Sequence, residues 1–220
     1  MPRRPKHGYI ENDEIRRLRT QVWFHVVQQR SQLSIERLEQ KFSSGGLVKR
    51  WKSGIWNKYK KGDVTPRNRM GSKGQRSLAH RVEAEYPGTK IWLEHPLWRA
   101  LDPAPMQISE IRTCYEDLPS HIRKVLIEAP PAGGRFWRTV EGPAAVMRSL
   151  AGAAPLEKLY VAVMLLKEAE VCQDRNRFAT AVSVLCGIDE WLRKIEELAS
   201  FRIEIIKRLS VTPVGHTKMV

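Results

Sequence analysis

Glu83, Glu85 and Lys90 place two carboxylates and an amine within eight residues. Metal-dependent nucleases use such groups to hold a divalent ion and to set a cation beside the attacked phosphate. Those sites sit on strands, whereas this segment reads as a short helix stopped by Pro87-Gly88, so nuclease chemistry is set aside. The six histidines (His7, His25, His80, His95, His121 and His216) are scattered along the chain. No His-Glu-x-x-His, Walker loop or Gly-x-Ser-x-Gly occurs. Glu94-His95 reads as a packing and capping pair rather than as metal ligands. Cys114, Cys172 and Cys186 form no Cys-x-x-Cys pair and have no zinc spacing. Two of them lie in apolar helical contexts, which predicts buried thiols in a reducing compartment. The sequence therefore points to a non-enzymatic protein with no metal and no cofactor.

The chemistry that stands out is electrostatic. The chain of 220 residues carries a formal charge of +14, and its pI is near 10.0. Residues 1–100 hold 22 Lys/Arg against 9 Asp/Glu, and residues 101–220 hold 16 against 15. Within 41–81 the cations are Lys41, Lys49, Arg50, Lys52, Lys58, Lys60, Lys61, Arg67, Arg69, Lys73, Arg76 and Arg81, with Asp63 as the one acid. A half-molecule so charged calls for a polyanionic partner, nucleic acid or an anionic surface. The basic N-terminus is followed by no apolar signal-peptide core, and the most apolar run, Leu159–Leu166, is too short to span a bilayer. The expectation is a cytoplasmic protein that does not enter membranes.

The elements that must position these charges read as helices throughout. Residues 1–11 form a basic arm in which Arg3, Arg4 and Lys6 suit a minor groove. Ile15, Leu18, Val22 and Val26 recur at helical spacing, with Trp23 and Val27 beside them, predicting a helix over 12–30 capped at Asn12 or Asp13. Ser34 caps a second helix with Ile35, Leu38 and Phe42 on one face. Ser43-Ser44-Gly45-Gly46 ends it, a third helical stretch falls within 47–61 and stops at Gly62, and 67–77 reads as a loop. A short helix near Leu78 and Val82 precedes Pro87-Gly88, and the aromatic-rich segment 91–101 is expected to pack back on the first helices. Further on come connecting helices in 106–128 and a Pro/Gly-rich linker over 129–155 with four prolines. A helix over 156–171 follows, then one long helix or two over 178–209. Ile188, Leu192, Ile195, Leu198, Ile205 and Leu209 lie near a heptad-like stripe. The fold class is all-α, with a basic domain over 12–105 and a helical interaction domain over 156–211.

The segment from Ser34 to Pro66 resembles the helix-turn-helix of Cro/C1-type (XRE-like) repressors. Tyr59, Gly62 and Pro66 keep that family's spacing of aromatic, glycine and proline at the end of its recognition helix, and Ser34 with Leu38 matches the start of its second helix. Ser34 and Tyr59 lie 25 residues apart, against about 17 in the family outline, and Lys60 replaces the acid after the aromatic. The resemblance implies a recognition helix in the major groove of duplex DNA. Lys52, Ser53, Asn57 and Lys58 would lie on it, Asn57 able to bond adenine and Lys58 to reach guanine acceptors. Lys49, Arg50, Lys60, Lys61, Arg67, Arg69, Lys73 and Arg76 would serve phosphates.

The function this predicts is a sequence-selective DNA-binding transcription regulator whose C-terminal helices join a second copy as a homodimer or hold a protein partner. Two alternatives use the same charge. An RNA- or single-strand-binding adaptor of a larger nucleoprotein complex would stack unpaired bases on Trp51, Trp56 and Tyr59. A protein scaffold would set its charge against an acidic partner. Trp51, Trp56 and Tyr59 are also the residues expected to fill a core.

Overall fold

In the computed structural model the chain is all-α, with residues 11–42, 54–67, 76–127 and 142–210 described. Two compact units divide it, one ending at Trp98 and the other starting at Arg99.

The first unit is built around α1 (Asp13–Ser31). The Asn12 side chain accepts the Glu14 N–H at 2.9 Å, and Asp13 and Glu14 in the first turn complement the helix dipole. The helix ends at Gln32, which takes a left-handed backbone. Ile15, Leu18, Val22, Trp23, Val26 and Val27 are all buried, so α1 is the post against which the other elements pack. In α2 (Ile35–Phe42) Leu38 and Phe42 point inward, and Ser34 Oγ accepts from the Arg37 N–H at 3.4 Å. The third helix, α3, runs from Ile55 to Lys61. It lies within the stretch expected over 47–61 and ends at Gly62 as expected, starting after Gly54, whose φ is 59°; residues 47–53 lie outside the described residues.

Ser77 caps α4 (Leu78–Glu85), its Oγ receiving the His80 N–H at 3.4 Å. The turn after it is tied by Glu83, whose carboxylate accepts from Gly88 N (2.8 Å), Lys90 N (2.6 Å) and the Thr89 hydroxyl (3.1 Å). Two short helices follow, α5 (Ile91–Glu94) and α6 (Leu97–Leu101), and the division between the units falls inside α6. Trp92, Leu93, Leu97 and Trp98 are buried, and Arg19 of α1 donates to the Leu93 carbonyl at 3.2 Å. The aromatic-rich segment thus closes this core, as its composition implies.

The second unit is organised by α10 (Pro155–Cys172), where every residue from Leu159 to Ala169 is buried. A helix apolar on all sides must be surrounded. Here α7 (Ile108–Glu116), α11 (Arg175–Leu185) and α12 (Ile188–Lys194) pack on it. Glu168, fully buried, accepts from the Tyr115 hydroxyl at 3.0 Å and from Arg177 at 2.5 Å, which locks α7, α10 and α11 together. Residues 106–128, expected as connecting helices, supply α7 and α8 (Ser120–Leu126) to this unit. The 129–155 stretch is not wholly irregular: it holds α9 (Pro143–Ser149), with proline at its first position and Val146 buried.

The expectation of one or two helices over 178–209 is also corrected. Gly187, the extended Ile195 and the turn at Ser200 divide the region into α11, α12, α13 (Glu196–Ala199) and α14 (Arg202–Ser210). Leu192, Ile195, Leu198 and Ile205 are buried within the chain, so the heptad-like stripe is not an open coiled-coil seam. The expected burial of the thiols fails as well. Cys114 is half-buried, but Cys172 closes α10 beyond its buried run and Cys186 caps α11, and both are exposed.

The join between α3 and α1 is the tightest feature near the basic segment. Gly62 has φ 73°, and a Cβ on it would meet Arg17 Cγ at 2.4 Å and the Arg17 carbonyl oxygen at 2.7 Å. Replacing Gly62 by Ala combines an unfavourable left-handed backbone with that collision. The expected cost is about 2–3 kcal/mol of stability, and urea unfolding of the purified variant measures it.

Candidate nucleic-acid interface

One side of α3 is committed to the core and the other to solvent. Trp56 and Tyr59 are buried, at 1% and 5% exposure. Trp56 stacks on Trp23 of α1, with centroids 5.8 Å apart and planes 13° from parallel. Tyr59 stands edge-on to both indoles at 5.5 and 5.7 Å, and Phe42 of α2 leans on Trp56 at 5.8 Å. Burial pushes the Tyr59 phenol up, with the Arg67 charge opposing, so it stays protonated at neutral pH.

With Trp56 and Tyr59 fixed inward, helical geometry sends Asn57, Lys58 and Lys61 outward, with Lys60 on the flank. All four are exposed, as are Arg67 beyond the turn and Arg76 ahead of α4. Asn57, Lys58 and Lys61 thus share the outward surface of a single short helix, and Lys60 is exposed on its flank. Lys58, Lys60 and Lys61 also complement the negative end of the α3 dipole. Of the other candidates, Lys49, Arg50, Lys52, Ser53, Arg69 and Lys73 lie outside the described residues, as do Trp51 and the arm residues Arg3, Arg4 and Lys6.

Contacts from α1 that the sequence does not announce hold this helix end. Gln21 Nε2 donates to the Lys61 carbonyl at 3.2 Å, and Arg16 reaches the Gly62 carbonyl at 3.5 Å. Thr20 gives its hydroxyl proton to the Arg16 carbonyl (2.8 Å), leaving its oxygen to accept from Thr65 at 3.0 Å. Arg17 pairs with Asp63 at 3.7 Å. The polar residues of α1 carry no sign of this role in the sequence, since only the packing of α1 against α3 brings them to the helix end.

The residue types reminiscent of nuclease chemistry have structural work instead. Burial alone would raise the Glu83 carboxyl; its backbone and hydroxyl donors outweigh that and hold it below the usual range. Glu85 pairs with Lys41, and Lys90 with Glu94 at 3.3 Å. His95 accepts the Leu97 N–H on Nδ1 at 3.0 Å, a cap for α6. Among the described residues no group of three or more His, Cys, Asp or Glu is placed to hold a metal ion, and no helix is long and apolar enough to cross a membrane.

No known protein family, curated protein or solved structure matches the chain.

Burial lowers the His95 pKa from 6.5 to about 4. The folded state therefore resists a proton that the unfolded state accepts, and stability present above pH 6.5 is lost as the pH falls toward 4. In His95→Asn, which keeps an acceptor for Leu97, that acid-side loss should shrink by about 1–3 kcal/mol between pH 7 and pH 4. Denaturant titrations at the two pH values check it.

Proposed function

We propose that the first unit binds duplex DNA through the outward surface of α3. The observation that carries this is the two-sidedness of the helix. Its aromatics are spent on the core, and Asn57, Lys58 and Lys61 are left together on the outward side, with Lys60 exposed on the flank. Lysines at this density attract a polyanion, and an asparagine among them supplies a side chain able to pair with an adenine edge. A seven-residue helix is about 10 Å long, which suits a major groove about 12 Å wide. Phe42 of α2 leans on Trp56, so α2 braces the proposed reading helix, while the 12 residues between α2 and α3 exceed the turn of about 3–4 residues in a helix-turn-helix of the Cro/C1 kind.

Burial also bears on the choice of nucleic acid. Recognition of single strands relies on exposed rings on which bases stack. Trp56 and Tyr59 have no free face for that role. Duplex DNA, read through groove edges and phosphates, needs none.

Fluorescence anisotropy with duplex DNA, single-stranded DNA and structured RNA over a salt series tests the proposal. The duplex should bind best. Neutralising Lys58, Lys60 and Lys61 to Gln should weaken binding about 100-fold and make the log–log salt slope shallower by about 3. Asn57→Ala should leave mixed-sequence binding nearly unchanged and reduce discrimination within a selected site by about 1–3 kcal/mol. Unchanged duplex binding by the triple variant, or a preference for single strands or RNA, would overturn the assignment.

A further inference from the structure

Asp63 is the one acid in the basic stretch 41–81, and it stands one residue past the helix C-cap, facing α1. Its partner there is Arg17, at 3.7 Å, with 60% of the arginine side chain and 46% of the aspartate exposed. A pair this long and this wet contributes little to stability. The backbones beneath it are held firmly. The Gly62 main chain lies against the Arg17 main chain, and Gln21 fixes the Lys61 carbonyl. Arg17 is therefore brought to the C-terminal end of α3, the end that also carries Lys60 and Lys61, while its guanidinium keeps only a loose anionic partner.

Resting on the duplex-DNA proposal above, we infer that Arg17 is a phosphate anchor of this interface and that Asp63 occupies the phosphate's place in the free protein. A backbone phosphate offers a guanidinium the same kind of oxygen acceptors as a carboxylate and can engage it in two parallel bonds. Exchange of one for the other costs a weak pair and gains a charge-assisted contact. The strand that passes the end of α3 is thereby bound by two helices, α3 through its lysines and α1 through Arg17. Asp63 limits affinity for DNA of any sequence, since it competes with phosphate rather than with bases.

The test uses the full chain and a mixed-sequence duplex across a salt series, with Arg17→Gln, Arg17→Lys, Asp63→Asn and the Arg17→Gln/Asp63→Asn double variant. Arg17→Gln should bind about 3–10-fold more weakly with a slope shallower by about 1, and Arg17→Lys should recover most of the loss. Asp63→Asn should bind about 3–10-fold more tightly, and most of that gain should vanish when Arg17 is Gln. An equal gain with and without Arg17 would mean that Asp63 acts only through net charge, and the exchange would be refuted. Loss of binding in the triple-lysine variant with Arg17→Gln unaffected would overturn this inference alone. A wild-type chain that fails to bind the duplex would remove the proposed function and this inference with it. Both side chains are exposed, so circular-dichroism melting is expected to show folded variants throughout.

Discussion

The packing of α3 on α1 decides what the rest of the basic unit can present. Trp56 lies flat on Trp23, Tyr59 closes the angle between them, and the chain leaves α3 through a glycine whose missing side chain lets two backbones touch. These contacts leave α3 one way to sit. A rotation about its axis would bring Asn57 or Lys58 against indole, burying an amide or an ammonium without partners. The orientation of the lysines is therefore dictated by rings that never meet solvent. The proposed DNA surface is the reverse side of an aromatic core.

The second unit solves a different problem. Its central helix α10 is apolar around its circumference and is covered by α7, α11 and α12, with Glu168, Tyr115 and Arg177 supplying the polar fastening. The charged groups there largely pair with one another, as Arg99 does with Glu110 at 2.7 Å and Lys194 with Glu190 at 2.5 Å. The contrast with 54–67, where one acid stands among several cations, is the physical basis for proposing a polyanionic partner for the first unit.

Much of this arrangement was legible in the residues. The 3.6-residue spacing of Ile15, Leu18, Val22 and Val26 gave α1 and its buried side, and Ser34 and Gly62 marked helix ends because their side chains, or the lack of one, suit those ends. The dual role weighed for Trp56 and Tyr59 resolves toward the core. Helix breaks in the C-terminal half were harder to see. Ile195 looks like a helix residue in a heptad, yet its backbone is extended, because tertiary packing of α12 and α14 overrides local propensity. The part played by Arg17 was hidden for a similar reason. On a helical wheel it is one more solvent-facing arginine, and only the long-range approach of Gly62 puts it beside Asp63.

The brevity of α3 carries a thermodynamic consequence. Seven residues cannot repay the nucleation cost of a helix in water, so this segment holds its shape only while α1 stays folded beneath it. Any ligand gripping its outer side must then favour the native state over the denatured one by mass action. Saturation at a hundred times the dissociation constant corresponds to about 2.7 kcal/mol of added resistance to melting, delivered to a hydrophobic centre that the ligand never touches.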